Sequence, residues 1–248
     1  MMANKPLKAP AVNAAQFIKR LKEHRSAAEL KKYERFFKFS DSKPLKDDEF
    51  IGVRMGQVFE LAKVFIDMPP AEIEKLLESR IHEVRAGALS IMGKQGAAKK
   101  TPESRLEELY HLYIRRHDRI NNWDLVDLAA YHVVGRYLAN KPRDILYKLA
   151  ISKNTWERRT AIVSTAHFIR QGDIDDCYKI AALLLKDEQE LIHKATGWML
   201  RAAGEVDRGK LLAFLDKHAA TMPRIALRAA IEHLDKKQRA HYLGMKKA

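Results

Sequence analysis

A single cysteine, Cys177, stands in 248 residues, so no internal disulfide can form and the secreted, disulfide-stapled scaffolds are excluded. Glycine, at 11 residues, and proline, at 8, are too scarce for collagen-like or linker-rich architecture. Uncharged stretches such as Ile180 to Leu185 fall far short of the roughly 20 apolar residues that a membrane span needs. The lysines of Met1 to Val12 are followed by no apolar segment, so no signal peptide is expected. Runs that alternate apolar and polar residues between Asn-Gly or Asp-Gly turns are missing, which argues against a sheet protein. Acidic side chains are in deficit: 32 Asp and Glu face 46 Lys and Arg, a formal net charge of +14. What the chain does have is a 46% hydrophobic fraction, ordinary for a globular protein and too high for wholesale disorder. The positive excess favours a polyanionic partner, although charge speaks to binding and not to chemistry.

Apolar residues recur at three- and four-residue steps almost throughout, as in Phe59, Leu61, Ala62, Phe65 and Ile66, or Ile180, Leu183 and Leu184. The expected class is therefore all-α. Punctuation divides the chain into many short helices, predicted near 11–24, 27–38, 50–67, 70–79, 81–95, 103–116, 122–139, 142–151, 155–170, 174–185, 188–202, 207–218, 223–234 and 236–244. Thr101-Pro102-Glu103 reads as a cap followed by proline in the first turn, and Pro69-Pro70 must end one helix and can open the next. Asp173 and Asp187 read as N-caps, the second with Glu190 three residues on.

A weak repeat underlies these helices. Val84-Arg85-Ala86-Gly87-Ala88-Leu89, Arg158-Arg159-Thr160-Ala161-Ile162, His193-Lys194-Ala195-Thr196-Gly197-Trp198 and Leu227-Arg228-Ala229-Ala230-Ile231 each set a basic residue before small ones and then an apolar one. Arg159, Lys194 and Arg228 are spaced by 35 and 34 residues, and Arg85 lies 74 before Arg159, two periods. Helix pairs at such a period mark a HEAT-like solenoid; the tetratricopeptide consensus is not present. Stacked repeats align equivalent positions, so the recurrent cations are expected to line a basic concave groove of a curved solenoid. A solvated charged face, with small residues that merely permit close helix packing, is the plainer alternative. Residues 1–25 read as a basic arm and first helix, and 26–248 as one repeat domain.

Catalytic motifs are few. Gly204-Glu205-Val206-Asp207-Arg208-Gly209-Lys210 imitates a phosphate loop, but Leu211 stands where Ser or Thr should follow and no strand precedes it; a helix C-cap at Gly204 explains it better. The ten histidines form no metal-binding spacing, and Cys177 reads as a small packed hydrophobe. The tryptophans say more. Trp123 opens a helix with Asp127 one turn on, Trp156 precedes Arg158-Arg159, and Trp198 follows Lys194 by four. Core packing accounts for any one tryptophan. Three set beside recurrent cations, with a carboxylate, suit a cationic nucleobase on a phosphate backbone.

On these residues the chain resembles the bacterial alkylpurine DNA glycosylases of the AlkD family, which are HEAT-like solenoids. The resemblance is carried by Trp123-Asp124-Leu125-Val126-Asp127, by Trp156-Glu157-Arg158-Arg159-Thr160-Ala161-Ile162 and by Lys194-Ala195-Thr196-Gly197-Trp198-Met199-Leu200-Arg201. Phe50-Ile51-Gly52-Val53-Arg54 and Glu83-Val84-Arg85-Ala86-Gly87-Ala88-Leu89 extend it to most of the chain. It implies excision of N3- or N7-alkylated purines from duplex DNA, with Asp127 as the catalytic carboxylate. Trp123 and Trp198 match the aromatic residues at the lesion-bearing nucleotide, and Arg159 the arginine that holds backbone in the site. Arg158, Lys194, Arg201, Tyr33 and Arg54 are the further candidates for DNA contact. The resemblance implies no metal or cofactor, and a cytosolic protein of bacterial type; a monomer is the default. Met55-Gly56-Gln57 departs from the proline and arginine found there in many members, and the aromatic pair before the acid is reduced to Asn122-Trp123. A non-catalytic binder of DNA structures and a protein-interaction scaffold are the alternatives.

Overall fold

The computed structural model describes residues 12–33 in full, the helical backbone of 34–38, and residues 48–245. Part of the proposed basic arm, residues 1–11, lies outside the described residues. Fourteen α-helices account for most of what is described: α1 (Ala14–Lys22), α2 (Ala27–Lys38), α3 (Met55–Val64), α4 (Pro70–Leu77), α5 (His82–Ala97), α6 (Glu103–Arg115), α7 (Trp123–Ala129), α8 (Asp144–Ala150), α9 (Thr155–Ile169), α10 (Asp175–Leu184), α11 (Glu190–Val206), α12 (Arg208–His218), α13 (Arg224–Ala230) and α14 (Lys236–Gly244). A π-helical turn, Ala130–Gly135, continues α7. Among the described residues the only extended pairing is an isolated bridge between Glu49 and Ile81. The chain is all-α, as its periodicity predicts.

The helices form two rows. One consists of α3, α5, α7 with its π-turn, α9, α11 and α13, each packed on the next. The other consists of the intervening helices; α4, α8 and α12 lie on α5, α9 and α11, while α6 packs on α5 and the π-turn and α10 on α9 and α11. Packing confined to near neighbours along the chain is the helical-repeat arrangement that the weak periodicity implies.

Small residues set the spacing of the first row. A Cβ on Gly93 of α5 would stand 2.0 Å from the Leu128 carbonyl oxygen of α7, and one on Gly197 of α11 would stand 2.5 Å from that of Ala226 in α13. Backbone thus lies directly against backbone, so close packing is one function of the small residues in each repeat. The row also reverses the usual amphipathic logic. Helix α5 has neighbours on most sides, and nearly every residue from His82 to Gly96 is buried, charged ones included. Cys177 is buried at 1% exposure, and burial pushes its thiol up to about 12.

Several local expectations are corrected by tertiary contacts. The helix expected from residue 50 begins at Met55, because the fully buried Glu83 carboxylate accepts hydrogen bonds from the amides of Ile51 (3.0 Å), Gly52 (2.8 Å) and Val53 (3.3 Å) and holds them as a loop. Gly52 has φ +75°, a left-handed conformation that favours glycine there. Asp187 does not cap α11: its carboxylate is drawn to Arg158, and Gln189 takes the cap position. Asp173 likewise pairs with Arg143 (2.7 Å), leaving Ile174 at the cap. Thr101 donates to the Gln95 carbonyl (2.6 Å), and Pro102 is the cap of α6. Helix α11 runs through Gly204 to Val206, so that glycine is no C-cap; the space beside it is filled by Leu211.

Candidate functional site

The first turns of α7, α9 and α11 meet at one point. Asn122 caps α7 through its side-chain oxygen, which accepts the Trp123 amide at 2.8 Å. Trp123 is therefore fixed at the first helical position, with Asp127 one turn on along the same face. From the neighbouring helix, Arg159 of α9 grips that carboxylate with a two-pronged fork: Nε donates to Oδ1 at 2.9 Å and Nη2 to Oδ2 at 2.7 Å. Its Nη1 donates to the Leu191 carbonyl at 2.6 Å, so one guanidinium joins three successive helices of the row. Arg159 is 5% exposed, whereas the Asp127 side chain retains 24% exposure. A carboxylate presents about four lone-pair sites, and the fork uses two, so the open side of Asp127 can still meet a ligand. Burial pushes the Asp127 carboxyl above the usual carboxylate range, while the hydrogen bonds and charge of Arg159 pull it back down.

Trp198 lies on α11, two turns beyond Leu191, and is exposed at 41%. An indole left this open on a packed helix is available for stacking and contributes little to the core. Trp156, by contrast, packs against the core.

The remaining candidates each make defined contacts. Arg158 is forked to the buried Asp187 (2.5 and 3.2 Å) and donates to the Ser152 carbonyl at 2.9 Å. Lys194 pairs with Glu190 one turn earlier at 2.6 Å, and Arg201 with Glu232. Arg54 pairs with Glu29 at 2.9 Å. Tyr33 donates its hydroxyl to the Val53 carbonyl at 2.7 Å, and burial pushes that hydroxyl up to about 12. The structure thus brings Asp127 and Arg159 into contact and places Tyr33 and Arg54 together at the loop before α3.

One neighbour of the site escapes sequence reasoning, and another, singled out as a recurrent cation, has a different role from the one expected. The fully buried His82 bonds Asp124 through Nε2 at 2.7 Å and stacks on Phe50 with ring centroids 4.7 Å apart. Arg85 is also fully buried, pairing with Asp48 at 2.8 Å and donating to Asn121 at 3.1 Å. The expected row of cations along one face is accordingly interrupted at Arg85, which is an internal clamp. The adjacent His82-Glu83-Val84-Arg85 run was the available signal, since three polar residues at the start of a glycine- and alanine-rich helix need buried partners.

The architecture is a two-row helical repeat in which successive first-row helices carry Trp123 with Asp127 (α7), the forking Arg159 (α9) and the exposed Trp198 (α11). The model of the DNA alkylation repair enzyme family matches residues 17–234, and the chain belongs to that family. Among solved structures, the chain is similar to one titled "Predicted DNA alkylation repair enzyme from Enterococcus faecalis", with a TM-score of 0.65 and 16% identity. The likeness covers 86% of this chain and 98% of that one, and at such identity it shows the fold. No match was found among the curated proteins. No described helix is long and apolar enough to cross a membrane.

Proposed function

We propose that the chain is a DNA glycosylase of base excision repair that hydrolyses the N-glycosidic bond of cationic N3- and N7-alkylated purines in duplex DNA. The observation that supports this reading best is the forked Asp127–Arg159 pair, one turn from Trp123. A purine alkylated at N3 or N7 carries positive charge. When its C1′–N bond breaks, the electron pair goes to the base, which leaves neutral, and the sugar becomes oxocarbenium-like. Water then adds its oxygen to C1′ and gives up a proton. A carboxylate held in one orientation stabilises that sugar cation without having to reorganise, and its free lone pairs can direct the attacking water. Arg159 acts as the positioning residue for Asp127 and keeps donor hydrogens in reserve for a phosphate oxygen. Trp123 and Trp198 would add cation–π attraction to the charged base and the developing sugar cation, about 1–2 kcal/mol each when desolvated.

Incubation with methylated genomic DNA, followed by identification of the released bases, tests the proposal. Release of 3-methyladenine and 7-methylguanine is expected. Tight duplex binding without release would favour the non-catalytic alternative, and the lack of both would favour a scaffold.

A further inference from the structure

The C-terminal ends of α5 and α9, the π-turn, the start of α6 and residues 139–141 line an open cavity of about 840 Å³. Its walls include Tyr131, His132, Arg136, His167, Arg170 and Lys99. The charge there is lopsided. Glu103, the one acid of the lining, is taken by Lys141. Among the described residues, Lys99, Arg136 and Arg170 have no carboxylate partner: Arg136 donates to the carbonyls of Gly96 and Ala98, Arg170 donates to the Tyr131 hydroxyl (2.7 Å), and Lys99 is exposed. This contrasts with Arg54, Arg158, Arg159, Lys194 and Arg201, every one of which is paired to an acid.

The imidazoles fit the same picture. Burial, and then the charges of His167, Arg170 and Arg136, push His132 down to about 4, and burial with the nearby arginines lowers His167. Both are therefore neutral near pH 7, and Nε2 of His167 accepts from the Gln171 side-chain amide at 3.2 Å, which puts its N–H on Nδ1. Nδ1 of His167 is buried and without a partner. Three cations without acids, in a concavity with uncharged imidazole and aromatic walls, concentrate positive potential and match the oxygens of a phosphate.

Position connects this cavity to the candidate site. Arg170 follows Arg159 by three helical turns, so the two share a face of α9 and stand about 16 Å apart along its axis. Tyr131, which accepts from Arg170 at 2.7 Å, follows Asp127 by only one turn, about 6 Å, and forms the wall nearer the site. The separation of the two arginines is of the order of a groove of B-DNA, about 12 Å wide on the major side. We propose that this cavity is a phosphate-binding site that grips the DNA backbone across a groove from Asp127. The phosphate chemistry stands on the cavity itself; DNA as the source of the phosphate rests on the glycosylase reading.

The test uses the full chain and a Lys99→Gln/Arg170→Gln double variant, both of whose changes are at exposed side chains. Pyrophosphate is titrated while amide NMR shifts of 131–136 and 167–171 are followed. In parallel, the affinity for a short fluorescent duplex is measured against salt. The proposal expects saturable shifts in the wild type that vanish in the variant. It also expects the slope of log affinity against log salt to become shallower by about 1–2, since each phosphate contact contributes about 0.9. Lost pyrophosphate shifts with an unchanged slope would keep a phosphate site but overturn DNA as its source. An unchanged slope and no pyrophosphate shift in the wild type would overturn the site altogether, leaving the glycosylase reading untouched. Conversely, wild-type protein that shifts with pyrophosphate but releases no methylated base would sink the glycosylase reading and leave the cavity as a phosphate site.

Discussion

Asp127→Asn separates the chemistry of the pair from its packing. The amide occupies the same volume and keeps one oxygen for Arg159, but its NH2 group faces a guanidinium donor where an anionic oxygen was. One charge-assisted hydrogen bond is lost at a group only 5% exposed, at a cost of about 1.5–3 kcal/mol. For a chain of this length that lowers Tm by about 3–12 °C. Arg159 retains its bond to the Leu191 carbonyl, so the fold survives. Catalysis should suffer more. Removing a preorganised group aimed at charge in the transition state costs about 100- to 1,000-fold in rate. The assay is single-turnover release of 7-methylguanine at a temperature well below both melting transitions, with circular dichroism to verify that the variant is folded. Duplex affinity should change little, because the bulk of the attraction is phosphate electrostatics. Equal release rates for wild type and variant would refute the role of Asp127. A parallel collapse of binding and folding would instead show that the pair is purely structural.

Gly93→Val should cost at least about 1–3 kcal/mol by overpacking, since even a Cβ there meets the Leu128 carbonyl at 2.0 Å; calorimetry with an unchanged Tm would reject the close approach of α5 and α7. Acidification should destabilise the protein from about pH 6.5 down to about 4, because the unfolded chain binds protons that the folded His132, at about 4, refuses; His132→Asn should flatten Tm against pH over that window, and an unaltered profile would count against the burial of this ring. Trp198→Ala should leave Tm nearly unchanged, as the ring is 41% exposed, yet slow base release by about 5- to 30-fold; equal rates would remove the indole from the site.

How much of this was legible in the sequence depends on the range of the contacts involved. Helices are specified locally, and Asn122 and Asn154 cap α7 and α9 as their types suggest. The expectations that fail are those in which a local signal competes with a distant partner. Asp187 has the spacing of a capping box, but the Arg158 guanidinium from the preceding repeat bonds both of its oxygens, and the one amide it accepts is that of Gln189, ahead of the helix. Glu83 looks like a solvated first-turn acid, and only the fold brings three amides of a loop 30 to 32 residues earlier onto it. The Trp123 and Asp127 spacing was visible because both lie on one helix face. The fork from Arg159 was not, because it is 32 residues away and depends on the registry of α7 against α9.

That registry gives the recurrent basic slot a different meaning from a row of free cations. Arg85 is the fourth residue of α5, Arg159 the fifth of α9, and each reaches the entrance of a following first-row helix: Arg85 to Asn121 before α7, Arg159 to Leu191 in the first turn of α11. The same position in α11 and α13 carries Lys194 and Arg228, both exposed. The slot is thus a clamp between repeats in the middle of the array and a surface charge toward its end. At α9 the clamp also holds a carboxylate that keeps one side open, which is how a packing residue comes to position a candidate catalytic group. The charges that would hold DNA consequently have to be sought beyond this slot, and the acid-free cations of the α5–α9 cavity are candidates for part of them.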